Sequence, residues 1–278
     1  MSYLLLDTVT AAAILFIVSS GLLIIFGVMK IINFAHASFL AVGGYTSFVI
    51  FKLGLTAWWS FPIAFILGCV VGVVVERVVL RYLYSRPLDA ILATWGLGIV
   101  IVQLITVGFG RATQFVNIPV TGAIHLIGAN YSTYRIVLVL FAIVLAVVIG
   151  WLLKGTRIGL NTRAVIMNEH LARGLGLKTK RVRIITFSFG LGLACLAGAL
   201  ISPISSVDPN LGFSWLVSAF MLVLLSGESL VALIVMCLIL GAAQVATSTY
   251  VNPVLGGLVI PVVAALLLRL KPEGFAHG

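Results

Sequence analysis

Nine apolar runs recur along the 278 residues of this chain, at about 8–28, 33–51, 58–80, 88–109, 135–153, 184–204, 213–226, 229–249 and 254–270. Most approach or exceed the roughly 18 residues that cross the hydrocarbon of a bilayer. No water is present there to satisfy backbone N–H and C=O groups, so runs of this length cross as helices. The fold class expected is all-α: a polytopic transmembrane bundle of about eight or nine segments, some of them broken. Charged residues make up only 9% of the chain, against about 25% in soluble domains, and a soluble fold could not hide the apolar remainder.

The net charge of +10 would suggest nucleic acid in a soluble protein. Here Lys and Arg fall between apolar runs, where lipid headgroups and the positive-inside rule account for them, so membrane lipid is the expected partner and nucleic acid is not. Cys69, Cys195 and Cys237 lie inside apolar runs without CxxC spacing or a His cluster. Neither a disulfide framework nor a metal site is expected. The first run, from Thr8, has no basic residue before it and no Ala-x-Ala-type cleavage site, and reads as a retained span.

Loop charges give an orientation. Lys154, Arg157, Arg163, Arg173, Lys178, Lys180, Arg181 and Arg183 crowd one loop with only Glu169 against them, which makes that loop cytoplasmic. Alternation then puts Lys30, Arg77, Arg81, Arg86, Arg269 and Lys271 on the same side, leaves Lys52, Arg111 and Arg135 outside, and sets the N-terminus outside and the C-terminus inside. The chain reads as a single membrane domain over 1–278. It divides into a half at 8–109, a central crossing at 135–153, a cytoplasmic loop at 154–183 and a second half at 184–270.

The two halves enter the membrane from opposite sides, and each carries a polar, Gly-containing interruption near its second segment: Asn33 to Gly44, and Ser226 to Ser229. Paired breaks in opposed halves point to an inverted-repeat transporter with its solute path where the breaks meet. The competing reading is that Gly is simply common in membrane helices. Asn33, His36, Gly43, Gly44, Thr94, Gly227 and Glu228 are the candidate path residues. On a helix Asn33 and His36 would share a face and suit a neutral or zwitterionic solute, while as a cap Asn33 would satisfy freed N–H groups. Thr94, Trp95 and Gly96 read as a further interruption of the fourth run.

Of seven acidic residues, Asp7 and Asp208 fall at outer ends, Glu76 near an inner end, and Asp89, Glu169 and Glu273 at interfaces or in the cytoplasm. Only Glu228 approaches the membrane interior. No relay of intramembrane acids and bases is present for a proton-coupled carrier, and no catalytic constellation for an enzyme. Small residues spaced by four, Gly68/Gly72 and Gly190/Ala194/Gly198, read as helix contacts.

In the cytoplasmic loop, Leu160, Ala164, Met167, Leu171 and Leu175 recur every three or four residues opposite Arg163, Asn168 and His170. This pattern predicts one amphipathic helix over 161–176, closed by Gly174 and Gly176. It would either lie on anionic lipid or dock into a partner. No GxxxxGK[ST] occurs anywhere, so any work from ATP must arrive from another chain.

The stretch from Gly21 through Lys30 and Asn33-Phe-Ala-His36 to Gly43-Gly44-Tyr45 resembles the first signature of the branched-chain amino acid ABC-importer permeases. Thr156-Arg-Ile-Gly159 through Arg163-Ala164, Ala172 and Leu175-Gly176 is similar to that family's cytoplasmic coupling loop. Arg86-Pro-Leu-Asp-Ala-Ile-Leu-Ala-Thr94-Trp95-Gly96 and Asp208-Pro-Asn-Leu-Gly212 through Ser218-Ala-Phe-Met look more like its urea and short-amide subgroup. The resemblance implies a permease for a branched-chain amino acid, urea or a short amide in a bacterial inner membrane. Its implied partners are a second related permease, two cytoplasmic ATPases that use Mg-ATP, and a periplasmic solute-binding protein; the chain itself carries no cofactor. Arg163, Met167, Glu169, Leu171, Ala172 and Gly176 would couple to the ATPases. Ser226-Gly227-Glu228-Ser229 departs from the family's Gly-Gly-x-Gly-Ser type turn. The alternative is an autonomous channel or secondary carrier for a small neutral solute.

Overall fold

A computed structural model describes residues 2–84, 86–126 and 128–270; Lys271 and Glu273, assigned above to the cytoplasmic side, lie outside the described residues. The helices are α1 (Ser2–Met29), α2 (His36–Lys52), α3 (Ser60–Val78), α4 (Pro87–Phe109), α5 (Thr133–Gly155), α6 (Arg157–Met167), α7 (Glu169–Gly174), α8 (Thr179–Ile201), α9 (Phe213–Ser226), α10 (Leu230–Tyr250) and α11 (Pro253–Leu270). Among the described residues, α1, α3, α4, α5, α8, α10 and α11 are long and apolar enough to cross a membrane. The two segments singled out by sequence are shorter. At 17 and 14 residues, α2 and α9 rise about 26 and 21 Å, less than the roughly 30 Å of hydrocarbon.

The bundle is helical as expected, with one small addition between α4 and α5. There β1 (Ala123–Leu126) pairs antiparallel with β2 (Ala129–Ser132), and Gly128 takes a φ of 77° at the tip. Four-residue strands carry too little alternation to stand out in sequence. We call this the hairpin end of the bundle; α6 and α7 mark the opposite, α6 end.

The bundle is organised around α1 and α8, whose apolar windows are 94% and 83% buried, against 17% for α11. Apolar side chains gain nothing from leaving lipid for one another, so close approach of backbones is what holds such a bundle. The small residues of α8 supply it: a Cβ on Gly190 would come within 2.7 Å of the Gly21 carbonyl of α1, and one on Gly68 of α3 within 2.6 Å of the Leu191 carbonyl. Tyr134 fastens α5 to the centre by donating to the Leu200 carbonyl at 2.7 Å. The pairings repeat with the halves exchanged: α1 runs along α10 and α8 along α3, while α2 packs on α3 and α4 and α9 packs on α10 and α11.

Candidate functional site

The first break is shorter than sequence suggests and lies upstream of the glycine pair. It spans Lys30 to Ala35, with Lys30 at a φ of 54°, the one described non-Gly residue at positive φ. Asn33 is outside any helix and does not share a helical face with His36; its Oδ1 accepts the Ala35 N–H at 3.1 Å. His36 opens α2, is fully buried, and places Nε2 3.0 Å from the Val18 carbonyl of α1. Both side chains therefore sit inside the protein and organise the turn.

Gly43 and Gly44 form no turn, because α2 runs through them without interruption. A Cβ on Gly43 would fall 1.8 Å from the Cys195 carbonyl of α8, and one on Gly44 2.9 Å from Leu211. The pair exists for contact. Thr94 likewise does not interrupt α4, which is continuous from Pro87 to Phe109. Its Oγ1 instead accepts the Phe34 N–H at 3.2 Å, and Phe34 stands between Trp95 of α4 and Phe220 of α9, with ring centroids 5.3 and 5.2 Å away. Thr94 and the Asn33 turn thus meet at one spot.

The second break is Gly227 to Ser229. Gly227 takes φ 58° and ψ −118°, a conformation that side chains with a Cβ avoid. Glu228 forms an ion pair with Lys30, so the two breaks touch at the α6 end. This corrects the symmetry argument: in opposed halves, the counterpart of the α1–α2 turn is the α8–α9 connection, at the hairpin end, and not the α9–α10 turn.

At the α6 end the predicted single helix is two. Thr156 caps α6, its Oγ1 accepting the Gly159 N–H at 3.1 Å, and Asn168 takes an extended conformation and caps α7 through the Leu171 N–H at 3.0 Å. An Asn side chain that competes for backbone N–H groups ends one helix and starts the next. Val165 of α6 and Ala172 of α7 pack with Val28 at the end of α1 and Val182 of α8. Leu160, Met167, Leu171 and Leu175 are exposed, as is Arg163, and Gly176 closes the segment at φ 84°.

Glu169 is held by Arg173 at 3.0 Å and by Arg183 of α8. The Arg183 guanidinium lies 4.1 Å from the Tyr84 ring centre, and Tyr84 Oη donates to the buried Glu76 of α3 at 2.5 Å. Burial, reinforced by that bond, pushes the Tyr84 phenol well above its ordinary value, so it remains a donor. This chain of contacts ties α7 to α3.

The hairpin end holds what sequence reading missed. Two adjoining cavities of about 340 Å³ each share Leu15, Trp215 and Gln244 as lining. Asp7 and Arg135 line the first; Asp208, Ser214 and Ser218 line the second. Arg135 Nη1 lies 2.9 Å from Asp7 Oδ1, and Tyr131 Oη donates to the same oxygen at 2.9 Å. Burial raises the Tyr131 phenol above its ordinary value, which keeps its proton in place. A signal was available in Gln244, the one carboxamide in the 229–249 run.

Membrane-length helices, two breaks in contact with each other and cavities with polar lining at the hairpin end fit a membrane permease. The comparisons make this specific: the family model described as "Branched-chain amino acid transport system / permease component" matches residues 4–268, and the chain belongs to that family. It is a permease component of an ABC-type transport system, a transport subunit. The high-affinity branched-chain amino acid transport system permease protein LivH of Escherichia coli is 28% identical over 96% of this chain and 92% of its own length. The autoinducer 2 import system permease protein LsrC of Salmonella paratyphi B is 32% identical over 61% of this chain and 49% of its own. Among solved structures, PsaBC from Streptococcus pneumoniae in complex with Fab shares the fold, with a TM-score of 0.51 at 16% identity over 96% of this chain and 90% of that one.

Proposed function

We propose that this chain is one of two related permeases in an ATP-driven importer of the bacterial inner membrane, for a branched-chain amino acid or a similarly small polar solute. The hairpin end faces the periplasm and receives solute from a binding protein; the α6 end faces the cytoplasm and meets two ATPases. The observation that carries the reading is the α6–α7 pair. One side of it is keyed into α1 and α8 through Val165 and Ala172, while the other presents Leu160, Met167, Leu171 and Leu175 to the exterior. An apolar ridge set on a basic loop and mechanically joined to the core suits a partner that delivers work.

The exchanged pairings of α1 with α10 and α8 with α3 support two inverted halves. Movement of the ridge would reach Val28, then Lys30 and its contact with Glu228, where both breaks meet. Mg-ATP belongs to the partner chains.

The test is affinity capture through this chain after co-expression with the ATPase genes that neighbour it. Capture of both ATPases in an ATP-hydrolysing complex is expected. Capture of neither overturns the reading and leaves the autonomous channel or carrier.

A further inference from the structure

The geometry points to the cavity at the hairpin end as a binding site for a zwitterion with an apolar side chain, its ammonium group on Asp7 and its carboxylate on Arg135. The inference rests on the small-solute permease reading and deepens it from the solute to the residues that hold it.

Asp7 and Arg135 are the charged residues lining this cavity, and they are opposite in sign. Their side chains are 40% and 46% exposed, and an ion pair so wetted adds little to the stability of a fold. The fold therefore does not depend on it, and a ligand can part it. The bonds that fix the pair use Asp7 Oδ1 and Arg135 Nη1, which leaves Oδ2 and the Nη2 edge of the guanidinium to a ligand.

The carboxylate is also positioned from outside the pair. Tyr131 on β2 donates to it and lies 2.9 Å from the Thr10 hydroxyl, so Asp7 stays in place when Arg135 turns to a second partner. Such preorganisation lowers the ordering cost of binding. Beyond the charges, Ile14, Leu15, Ile204 and Trp215 give the cavity an apolar wall. A volume of about 340 Å³ is at the small end of the roughly 300–1,000 Å³ of ligand pockets, and suits an amino acid better than a peptide. Urea would leave both charges unmet and the apolar wall unused.

The test uses the full chain in lipid nanodiscs with labelled leucine, displaced by leucine, by leucinamide (no carboxylate), by 4-methylpentanoate (no ammonium) and by urea. For the native chain, leucine should displace label about tenfold or more better than either truncated analogue, the discrimination expected of one charge-assisted contact, and urea should not compete. Arg135→Gln should erase the preference for leucine over leucinamide, Arg135→Lys should restore part of it, and Asp7→Asn should erase the preference over 4-methylpentanoate. Absence of leucine binding to the native chain overturns the site. So does equal displacement by leucinamide, or a common weakening of every probe in both variants, which is what a merely structural pair would give. ATPase capture that survives any of these results leaves the permease reading standing, while failed capture removes that reading whatever the displacement series shows.

Discussion

Gly43 shows how one residue type carries two meanings. A glycine pair beside Tyr45 reads equally well as a turn and as a close helix contact, and only the facing backbone of α8 decides. With a Cβ 1.8 Å from the Cys195 carbonyl, Gly43→Ala should destabilise the bundle by at least the upper end of the about 1–3 kcal/mol typical of overpacking. Gly96→Ala, whose added Cβ meets nothing within 4 Å, should be neutral or slightly stabilising through helix propensity. Thermal unfolding of both variants in detergent checks the pair; equal midpoints would contradict the packing role of Gly43. His36 and Asn33 teach the complementary lesson. Polar residues near a break read as solute ligands, yet both are buried in the turn they support, one against the Val18 carbonyl and one on the Ala35 N–H.

Among the elements, α6 and α7 are where sequence came nearest to function while misjudging form. The apolar periodicity of Leu160, Met167, Leu171 and Leu175 was legible and those side chains are exposed. The split at Asn168 was not legible, because an Asn between helical residues reads as an ordinary polar position until its side chain is seen to cap α7. The Glu169 contact with Arg183 fixes α7 to α8, so a load on the ridge reaches the core. A charge on that ridge should cost little inside this chain, since Met167 is 86% exposed. Met167→Asp or Leu171→Asp should reduce ATPase capture tenfold or more while the chain stays membrane-inserted and keeps its unfolding midpoint. Undiminished capture assigns the ridge to the lipid surface.

In the whole molecule, apolar run length located the spans because the bilayer sets a length that little else in a sequence imitates. The run at 213–226 matches α9. What did not show was whatever depends on residues far apart in sequence. The cavity at the hairpin end gathers Asp7 from α1, Arg135 from α5, Trp215 from α9 and Gln244 from α10, and none of these signals its neighbours. The contact of Lys30 with Glu228, which brings the two breaks together at the α6 end, is of the same kind. Solute should cross this bundle only when a partner drives it, and uptake of labelled leucine into proteoliposomes measures that directly. The complete assembly with its binding protein and ATP should accumulate leucine, and should stop when ATP is withheld or when this chain carries Met167→Asp. Comparable uptake by this chain alone, without ATP, would contradict the account.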